Sequence, residues 1–308
     1  MDREGVLVVG SANMDMVVTT DRFPYPGETI FGKKFQTFSG GKGANQAVAC
    51  AKLGIKTYFI GKIGNDDFGE ALTKNMRRDG VNLDHIFIDP KESTGTALIT
   101  VDNEGQNEII VISGGNMNLS PSDIDSKIKL FRQVKVVLSQ LEIPLDTVLK
   151  TAELCKNEGS VFILNPAPAF QLPDKLLNQI DFLTPNEIEL AMISGLNVDD
   201  EESAANAAQV LINRGVGNVI VTMGAMGSLW VSKNKIVKFP TLKVQAVDTT
   251  GAGDAFNGAL AFSLAKGNNS EKSIEFANRV ASISVTRMGA QSSMPYYHEI
   301  ELILNIVE

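Results

Sequence analysis

Short apolar runs alternate along the chain with longer segments in which apolar residues recur every three or four positions. The runs are rich in β-branched residues and lie at 6–10, 57–61, 134–142, 161–166, 181–186 and 218–224. The segments with helical spacing lie at 67–79, 120–132, 145–158 and 199–214. This alternation predicts an α/β fold with a doubly wound, mostly parallel central sheet flanked by helices on both faces, as in Rossmann-like proteins.

Two stretches, 14–40 and 94–114, depart from this alternation because they contain strand patterns without a helix between them. In the second, "TALITV" and "NEIIVI" flank the turn-like "DNEGQN", which predicts a hairpin. We therefore expect residues 14–40 and 94–114 to form a small β-sheet lid. Residues 1–13, 41–93 and 115–308 would form the main α/β domain, with helices over 254–308.

Composition and charge exclude several classes of protein. The chain has 308 residues, 44% of them hydrophobic, and a formal charge of −8, which disfavours nucleic acid or an anionic membrane as a partner. No apolar stretch approaches the ~20 residues that cross a bilayer, and the N-terminus lacks the plan of a signal peptide. Cys50 and Cys155 have no companions for zinc or a disulfide framework. We expect a cytoplasmic protein.

The segment "DTTGAGDAF" (248–256) places two carboxylates, two hydroxyls and two glycines between a strand-like run, 243–247, and a helix-like one. Glycines let backbone amides approach a ligand, and a helix start adds partial positive charge, so an anion is expected here. Asp254 could accept a proton from a substrate hydroxyl while the amides of Gly251–Gly253 stabilise a transferred phosphoryl group. Alternatively, Asp254 only stabilises the start of the helix.

Two motifs nearer the N-terminus carry polar side chains that suit a sugar. In "GSANMDM", the period of two puts Asn13 and Asp15 on one face, where an amide and a carboxylate could bind vicinal hydroxyls. A polar loop with an Asx turn is the alternative. "SGGKGANQ" carries Lys42 and Asn45 into a predicted helix, but it matches neither a Walker A loop nor a GxGxxG fingerprint, and it could be only a tight helix entry.

Two later motifs could serve a nucleotide. "TPNEIEL" puts Asn186 and Glu189 three positions apart in a first helical turn, where Glu189 could hold a hydrated Mg²⁺ or both residues could form a capping box. "TMGAMG" (222–227) offers a glycine turn that suits a phosphate or a ribose, although a plain turn is equally compatible with it.

Taken together, the motifs resemble those of the ribokinase-like (PfkB-type) carbohydrate kinases. The resemblance covers essentially the whole chain, with ten motifs in the family's order: "GSANMD", "FPYPGET", "GGKGANQAVA", "ESTGTALITV", "QLEIP", "LNPAP", "TPNEIE", "VTMGAMG", "VQAVDTTGAGDAFNGAL" and "RMGAQSSMP". It implies transfer of the γ-phosphoryl group of ATP to the 5-hydroxyl of D-ribose, with Mg²⁺ and an activating K⁺. It also implies a homodimer joined through the lid sheets.

The resemblance assigns roles to particular residues. It implies Asp254 as the general base and Gly251, Ala252 and Gly253 as an anion hole. The implied sugar-binding residues are Asn13, Met14, Asp15, Gly41, Lys42, Gly43, Ala44, Asn45, Glu142 and Asp254. The implied nucleotide-binding residues are Asn186, Thr222, Met223, Gly224, Ala225, Met226, Gly227, Gly253 and Asn278. Glu189 and Asn186 would hold Mg²⁺, and the implied K⁺ ligands are Asp248, Thr250, Ser284, Arg287, Gly289 and Ser293.

Several alternatives stay open at this stage. A kinase of this family could act on another small acceptor, such as deoxyribose, fructose or a nucleoside, because small pocket changes shift specificity by only ~1–3 kcal/mol. A sugar- or nucleotide-sensing protein could bind without turnover, although the retained Asp254 argues against it. A dehydrogenase is disfavoured because the dinucleotide fingerprint is missing.

Overall fold

A computed structural model describes residues 3–300 and 302 of the chain. The strands are β1 (Val6–Val9), β2 (Asn13–Thr19), β3 (Lys34–Gly40), β4 (Thr57–Ile60), β5 (Lys62–Gly64), β6 (Val81–Asn82), β7 (Phe87–Asp89), β8 (Gly95–Val101), β9 (Asn107–Ile112), β10 (Val136–Ser139), β11 (Val161–Leu164), β12 (Phe182–Leu183), β13 (Asn218–Thr222), β14 (Ser228–Ser232) and β15 (Ile236–Phe239). The α-helices are α1 (Lys42–Lys52), α2 (Asp67–Arg78), α3 (Pro121–Asp125), α4 (Ile128–Phe131), α5 (Leu145–Glu158), α6 (Asp174–Leu177), α7 (Glu187–Ser194), α8 (Glu201–Asn213), α9 (Ala252–Ala265) and α10 (Ser270–Ser284).

The main sheet has the strand order β15-β14-β13-β12-β11-β10-β1-β4-β6. Neighbouring strands from β13 to β6 run parallel, whereas β14 and β15 add an antiparallel edge. The chain leaves β1 toward β4 on one side and later returns to β10 on the other, so the topology reverses between β1 and β10. In open α/β sheets, ligands bind outside the carboxyl ends of the strands at this reversal.

Both faces of the main sheet are covered, because successive side chains of a strand point to opposite faces. In β1, Val6 and Val8 join one core with side chains of α1, α9 and α10, while Leu7 and Val9 join a second core with side chains of α5, α7 and α8. All four of these valine and leucine side chains are fully buried. The two-sided burial explains why the sequence of β1 is continuously apolar rather than alternating.

A smaller sheet with the order β3-β2-β8-β9 forms from the two stretches predicted to be a lid. β2 and β8 pair in parallel, and the β8–β9 hairpin closes through Asp102, whose side chain accepts hydrogen bonds from the backbone amides of Glu104 and Gln106. Strand β9 is exposed along its whole length. The sheet therefore offers apolar surface that the described residues leave uncovered.

Helices α1 and α9 pack closely against each other near the middle of the molecule. The backbone carbonyl of Gly258 in α9 accepts a hydrogen bond from the Cys50 thiol of α1 at 3.3 Å. A β-carbon at position 258 would lie 2.5 Å from the β-carbon of Ala49 and 3.0 Å from the carbonyl oxygen of Gln46. Only glycine permits this approach of the two helices.

The fold confirms the predicted mostly parallel α/β sheet with flanking helices and a small lid-like sheet. The strand predicted at 243–247 is wrong: this segment is exposed and irregular, and the amide of Val247 bonds to the carbonyl of Val285 instead of to a neighbouring strand. The edge strands β14 and β15 were not predicted. Of the domain and helix predictions, residues 1–2, 301 and 303–308 lie outside the described residues. In the described part of the chain, every helix is too short or too polar to cross a bilayer.

Candidate active site

The candidate site lies at the carboxyl ends of β1 and β10, where the topology reverses. After β1 the chain continues through Ser11 into β2, and after β10 it reaches Glu142. The Glu142 carboxylate accepts hydrogen bonds from the Ser11 hydroxyl at 2.5 Å and from the backbone amide of Lys42, the first residue of α1, at 3.1 Å. This carboxylate thus joins the ends of both strands to the start of α1.

Asn13 and Asp15 lie at the start of β2, at the edge of the small sheet that faces the site. The buried Asn116 fixes the Asn13 side chain, because its Nδ2 donates to Asn13 Oδ1 at 2.7 Å and its Oδ1 accepts from the Ala12 amide at 2.9 Å. Burial, with the nearby charges of Glu142 and Asp254, raises the pKa of Asp15 from 3.8 to about 7. A carboxyl that is partly protonated near neutral pH can both donate to and accept from a hydroxyl.

Asp254 lies in the first turn of α9, directly after a turn that brings the backbone into the left-handed region at Gly251, with φ 76°. Its carboxylate does not point into solvent: the residue is 6% exposed. Asn45 Nδ2 donates to Oδ2 and Gln46 Nε2 donates to Oδ1, each at 2.9 Å. Both donors come from α1, so the contact between α1 and α9 sets the position of the acid.

Opposing effects act on the charge of Asp254. Burial raises its pKa, while the positive charge of Lys42 and the bonds from Asn45 and Gln46 lower it, and the pKa stays above its ordinary value of 3.8. Burial lowers the pKa of Lys42, but the carboxylates of Asp254, Glu142 and Glu189 outweigh this effect and raise the pKa above 10.5. The site therefore holds a charged lysine among three acidic side chains, Asp254, Glu142 and Glu189.

The backbone amides at the start of α9 are partly free. Among the described residues, the amides of Gly251 and Gly253 find no acceptor. The amide of Ala252 donates to the carbonyl of Thr249 at 3.2 Å, because the turn before the helix closes on itself. Of the three amides predicted to form an anion hole, two are thus available at the positive end of the helix.

Two cavities meet at these amides. The smaller, about 190 Å³, is lined by Lys42, Asn165, Ala167, Thr184, Asn186, Glu189, Thr222, Thr249, Gly251, Ala252, Gly253, Asp254 and Asn257. The larger, about 650 Å³, shares Asn186, Thr222, Thr249, Ala252 and Gly253 with it. A ligand that fills both cavities would place one end against Asp254 and the other between α10 and the segment that follows β15.

The larger cavity contains most of the residues predicted for a nucleotide. Thr222, Gly224, Ala225, Gly227 and Asn278 line it together with Asn186 and Gly253. The side chain of Met223, in contrast, is buried in the core, and that of Met226 is half exposed. The sequence did not single out several further lining residues, which include Ile188, Thr241, Leu242, Val244, Phe256 and Ser282.

Asn186 and Glu189 form the capping box that was one of the two interpretations of "TPNEIEL". Asn186 Oδ1 accepts from the amide of Glu189 at 2.8 Å, and Glu189 Oε2 accepts from the amide of Asn186 at 2.9 Å. Glu189 Oε1 takes no part in the box, and Glu189 lines the smaller cavity. Within residues 3–300 and 302, no group of three or more histidine, cysteine or acidic residues could hold a metal by itself.

The loops predicted to hold a monovalent cation meet next to the site. The Asp248 carboxylate accepts hydrogen bonds from the amide of Thr250 at 2.9 Å and from the amide of Gly289 at 2.8 Å. These bonds lower the pKa of Asp248 although its partial burial acts in the opposite direction. The Arg287 side chain instead forms an ion pair with Glu299, with 2.9 Å between Nη2 and Oε1. Of Arg287, only the backbone is then free to bind a cation.

Some site residues play a different part from the one their motif indicates. The side chains of Met14 and Ala44 are buried in the core, so only their backbones could meet a sugar. Gln46, Gln140 and Asn165 were not predicted, although all three are buried near Asp254. For Gln140 and Asn165, the sequence offered one signal, since each is a polar amide directly after the residues that became β10 and β11.

Comparisons with known proteins show which family the chain resembles. The model of the pfkB family carbohydrate kinases matches residues 3–296. A ribokinase of Haemophilus influenzae is 41% identical over 297 residues, covering 96% of this chain and 97% of that protein. A deoxyribokinase of Salmonella typhi is 38% identical over 304 residues, covering 98% of this chain and 99% of that protein.

Two further relatives extend the comparison. A bifunctional ribokinase/ribose-5-phosphate isomerase A of Fructilactobacillus sanfranciscensis is 40% identical over 98% of this chain, which spans only 56% of that longer protein. The solved structure of Arabidopsis thaliana ribokinase complexed with ribose and ATP superposes with a TM-score of 0.93 and 36% identity, covering 98% of this chain and 99% of that one. The chain therefore belongs to the pfkB family of carbohydrate kinases.

Proposed function

We propose that the protein is a ribokinase, which transfers the γ-phosphoryl group of ATP to the 5-hydroxyl of D-ribose and yields D-ribose 5-phosphate and ADP. The observation that carries the proposal is the place of Asp254: a buried carboxylate on the wall of the smaller cavity, beside the free amides of Gly251 and Gly253. Relatives named as ribokinases, one of them solved with ribose and ATP, support the same reaction.

The acceptor sugar would lie between the small sheet and the start of α1. Asn13, Asp15 and Glu142 offer amide and carboxylate groups to its hydroxyls, with Lys42 and Asn45 beside them. Gly41 is the residue directly before α1, and Gly43 lies in the first turn of this helix. Because these side chains include both hydrogen-bond donors and acceptors, they suit a molecule with several vicinal hydroxyls.

The nucleotide would occupy the larger cavity, with its triphosphate directed at the smaller one. Side chains such as Ile188, Val244 and Phe256 provide apolar walls for a base, while Asn278 and Thr222 provide polar groups. The γ-phosphate would then face the amides at the start of α9, where an anion is stabilised.

In the proposed step, the 5-hydroxyl oxygen forms a bond to the γ-phosphorus while the bond from this phosphorus to the β–γ bridging oxygen breaks. Asp254 accepts the hydroxyl proton, and ADP leaves with the electron pair of the broken bond. The amides of Gly251 and Gly253 and the ammonium of Lys42 stabilise the charge on the phosphoryl oxygens. The protein thus contributes alignment, one base and positive potential.

Two cations fit the donor groups of the site. Glu189 Oε1, which the capping box leaves out, and Asn186 would hold Mg²⁺ mostly through water, and the ion would neutralise phosphate charge when bound. Potassium suits backbone carbonyls and hydroxyls together with a single carboxylate, which is the chemistry of the loops joined by Asp248. Its proposed ligands are Asp248, Thr250, Ser284, Arg287, Gly289 and Ser293.

We also propose that the protein is a homodimer joined through the small sheets. Met16, Leu98 and Ile110 pair across one face of this sheet, and Val17, Ile99 and Ile109 pair across the other. Ile109 and Ile110 are 54% and 65% exposed. A sheet with apolar side chains on both faces can cover the sugar with one face and a second copy with the other.

A panel assay tests the proposal and its main alternative. The deoxyribokinase relative is nearly as similar as the ribokinases, so 2-deoxyribose is the second candidate acceptor. We expect ADP release with ribose to exceed that with 2-deoxyribose, fructose and nucleosides at equal concentration, and to increase when K⁺ replaces Na⁺. NMR of the product should show phosphate on the 5-oxygen. A higher kcat/KM with another acceptor would reassign the substrate, and no ADP release with any sugar would favour a sensor.

A further inference from the structure

The buried amide side chains of Asn45, Gln46, Gln140 and Asn165 form a chain of hydrogen bonds that ends at Asp254. Of these four residues, only Asn45 belongs to the site predicted from the sequence. Gln46 is fully buried and makes three side-chain contacts. Its Nε2 donates to Asp254 Oδ1 at 2.9 Å and to Asn165 Oδ1 at 3.1 Å, and its Oε1 accepts from Gln140 Nε2 at 2.6 Å. Gln46 itself does not line the smaller cavity, but two of its partners, Asp254 and Asn165, do.

The direction of these bonds follows from one backbone group. The carbonyl of Thr184 can only accept, so Asn165 must present Nδ2 to it, at 3.2 Å, and Oδ1 to Gln46. Gln46 must then present its nitrogen to Asn165, and the same nitrogen faces Asp254. Gln140 donates to the remaining oxygen of Gln46 and fixes the amide from its other end.

The amides of this network direct their N–H groups at one acid. Among the described residues, Gln140 Oε1 and Asn45 Oδ1 are buried without a hydrogen-bond partner, whereas Gln46 Nε2 and Asn45 Nδ2 both donate to Asp254. What the arrangement provides is an N–H group aimed at one oxygen of the acid, while Asn45 holds the other oxygen.

We infer that Gln46 is a positioning residue, which holds the Asp254 carboxylate in its reactive orientation and favours its ionised form, with Gln140 locking the Gln46 amide from behind. This inference rests on the proposed role of Asp254 as the base. A hydrogen bond donated to a carboxylate stabilises the charged form, which a base must have before it accepts a proton. The charged groups around Asp254 are Lys42 of α1, Glu142 after β10, Asp15 of β2 and Glu189 of α7. They stay unchanged in the variants below.

The test replaces Gln46 by methionine, which has a similar shape and no donor. For Gln46→Met we expect kcat to fall by about 10- to 100-fold, which is less than the ~10²–10⁴ that a general base contributes, because Asp254 itself stays in place. The KM for ribose should change by less than about threefold, because Gln46 does not touch the sugar. The acidic limb of the kcat–pH profile should move up by about one pH unit, because a donor to the charged form is lost.

A second variant and a control separate positioning from general damage. Gln140→Met leaves every group that touches Asp254 in place, and we expect a smaller change in kcat and pH profile in the same direction. Thr147→Val removes a buried hydrogen bond in α5, from the Thr147 hydroxyl to the carbonyl of Leu119, on the other face of the sheet. It should lower the melting temperature and leave the pH profile unchanged.

The possible results are distinct. If Gln46→Met does not fold, Gln140→Met decides the question. Folded Gln46 and Gln140 variants that keep the wild-type kcat and pH profile would overturn the inference, and so would a change confined to KM. If the wild-type protein itself phosphorylates no sugar, the proposed function fails first, and that outcome is visible before any variant is made.

Discussion

The strongest prediction concerns replacement of Asp254 by asparagine. The change keeps the shape of the side chain and removes its ability to accept a proton. Loss of a positioned general base costs about 10²–10⁴ in rate, equivalent to about 2.7–5.4 kcal/mol of transition-state stabilisation. We expect the upper part of this range, because Asp254 is 6% exposed and solvent water has little access to take its place.

Binding of ribose should survive this change far better than turnover. The sugar would retain Asn13, Asp15 and Glu142, whereas the lost function operates only in the transition state, so kcat and kcat/KM should fall together. The assay is ribose-dependent ADP release for kcat, with calorimetric titration of ribose for affinity. Circular dichroism and the melting temperature establish that the variant is folded.

A matched control separates catalysis from an effect on helix stability. Asp200 also lies at the start of a helix, where its side chain accepts a hydrogen bond from the amide of Ser203 at 2.8 Å, and it lines neither cavity. Asp200→Asn should keep full activity, since asparagine is an equally good cap. If Asp254→Asn turned over within about twofold of the wild-type rate, the assignment of the base would be refuted, because removal of a base costs at least ~10².

Three further predictions follow from the surrounding structure. The pKa of Asp15, raised to about 7, means that the folded protein binds this proton more tightly than the unfolded chain, so stability falls as pH rises from about 4 to about 7, by at most ~4 kcal/mol. Asp15→Asn should therefore raise the melting temperature relative to wild type more at pH 8 than at pH 5, and equal differences at both pH values would contradict this. Ile110→Asp should shift the protein toward monomer in light scattering, whereas an unchanged mass would exclude this surface from the dimer. Gly258→Ala should lower both the melting temperature and kcat by forcing α1 from α9, and a variant with wild-type values for both would show that the helices adjust freely.

The sequence predicts the architecture well wherever a segment is strongly patterned. Apolar runs such as 6–10 and 161–166 became buried parallel strands, because only a strand covered on both faces needs apolar side chains at every position. The segment 243–247, in which Lys243 and Gln245 stand among apolar residues, was also predicted to be a strand, yet it is exposed beside the larger cavity. Its apolar residues fit a ligand surface rather than a core, and a local pattern does not distinguish the two.

The candidate site was predictable in part. Motifs that place several polar residues within one turn, such as those with Asp254 and Lys42, contain their signal locally. Gln46, Gln140 and Asn165 are far apart in the sequence, and their contacts exist only because parallel strands end at one edge of the sheet. Each of these amides, taken alone in the sequence, is an ordinary polar residue, so only the assembled fold shows that they form one chain of hydrogen bonds.

The contact at Gly258 sets the distance between α1 and α9 at the candidate site. Asp254 belongs to α9, whereas Asn45 and Gln46, which donate hydrogen bonds to it, belong to α1. Gly258 lies one turn after Asp254 in α9 and packs against the backbone of Gln46. A methyl group at position 258 would push α1 and α9 apart. It would thereby lengthen the distances from the Asp254 carboxylate to the side-chain amides of Asn45 and Gln46 without contacting these groups. The position of the Asp254 carboxylate relative to its two donors thus depends on the absence of a side chain at position 258, which lines neither cavity.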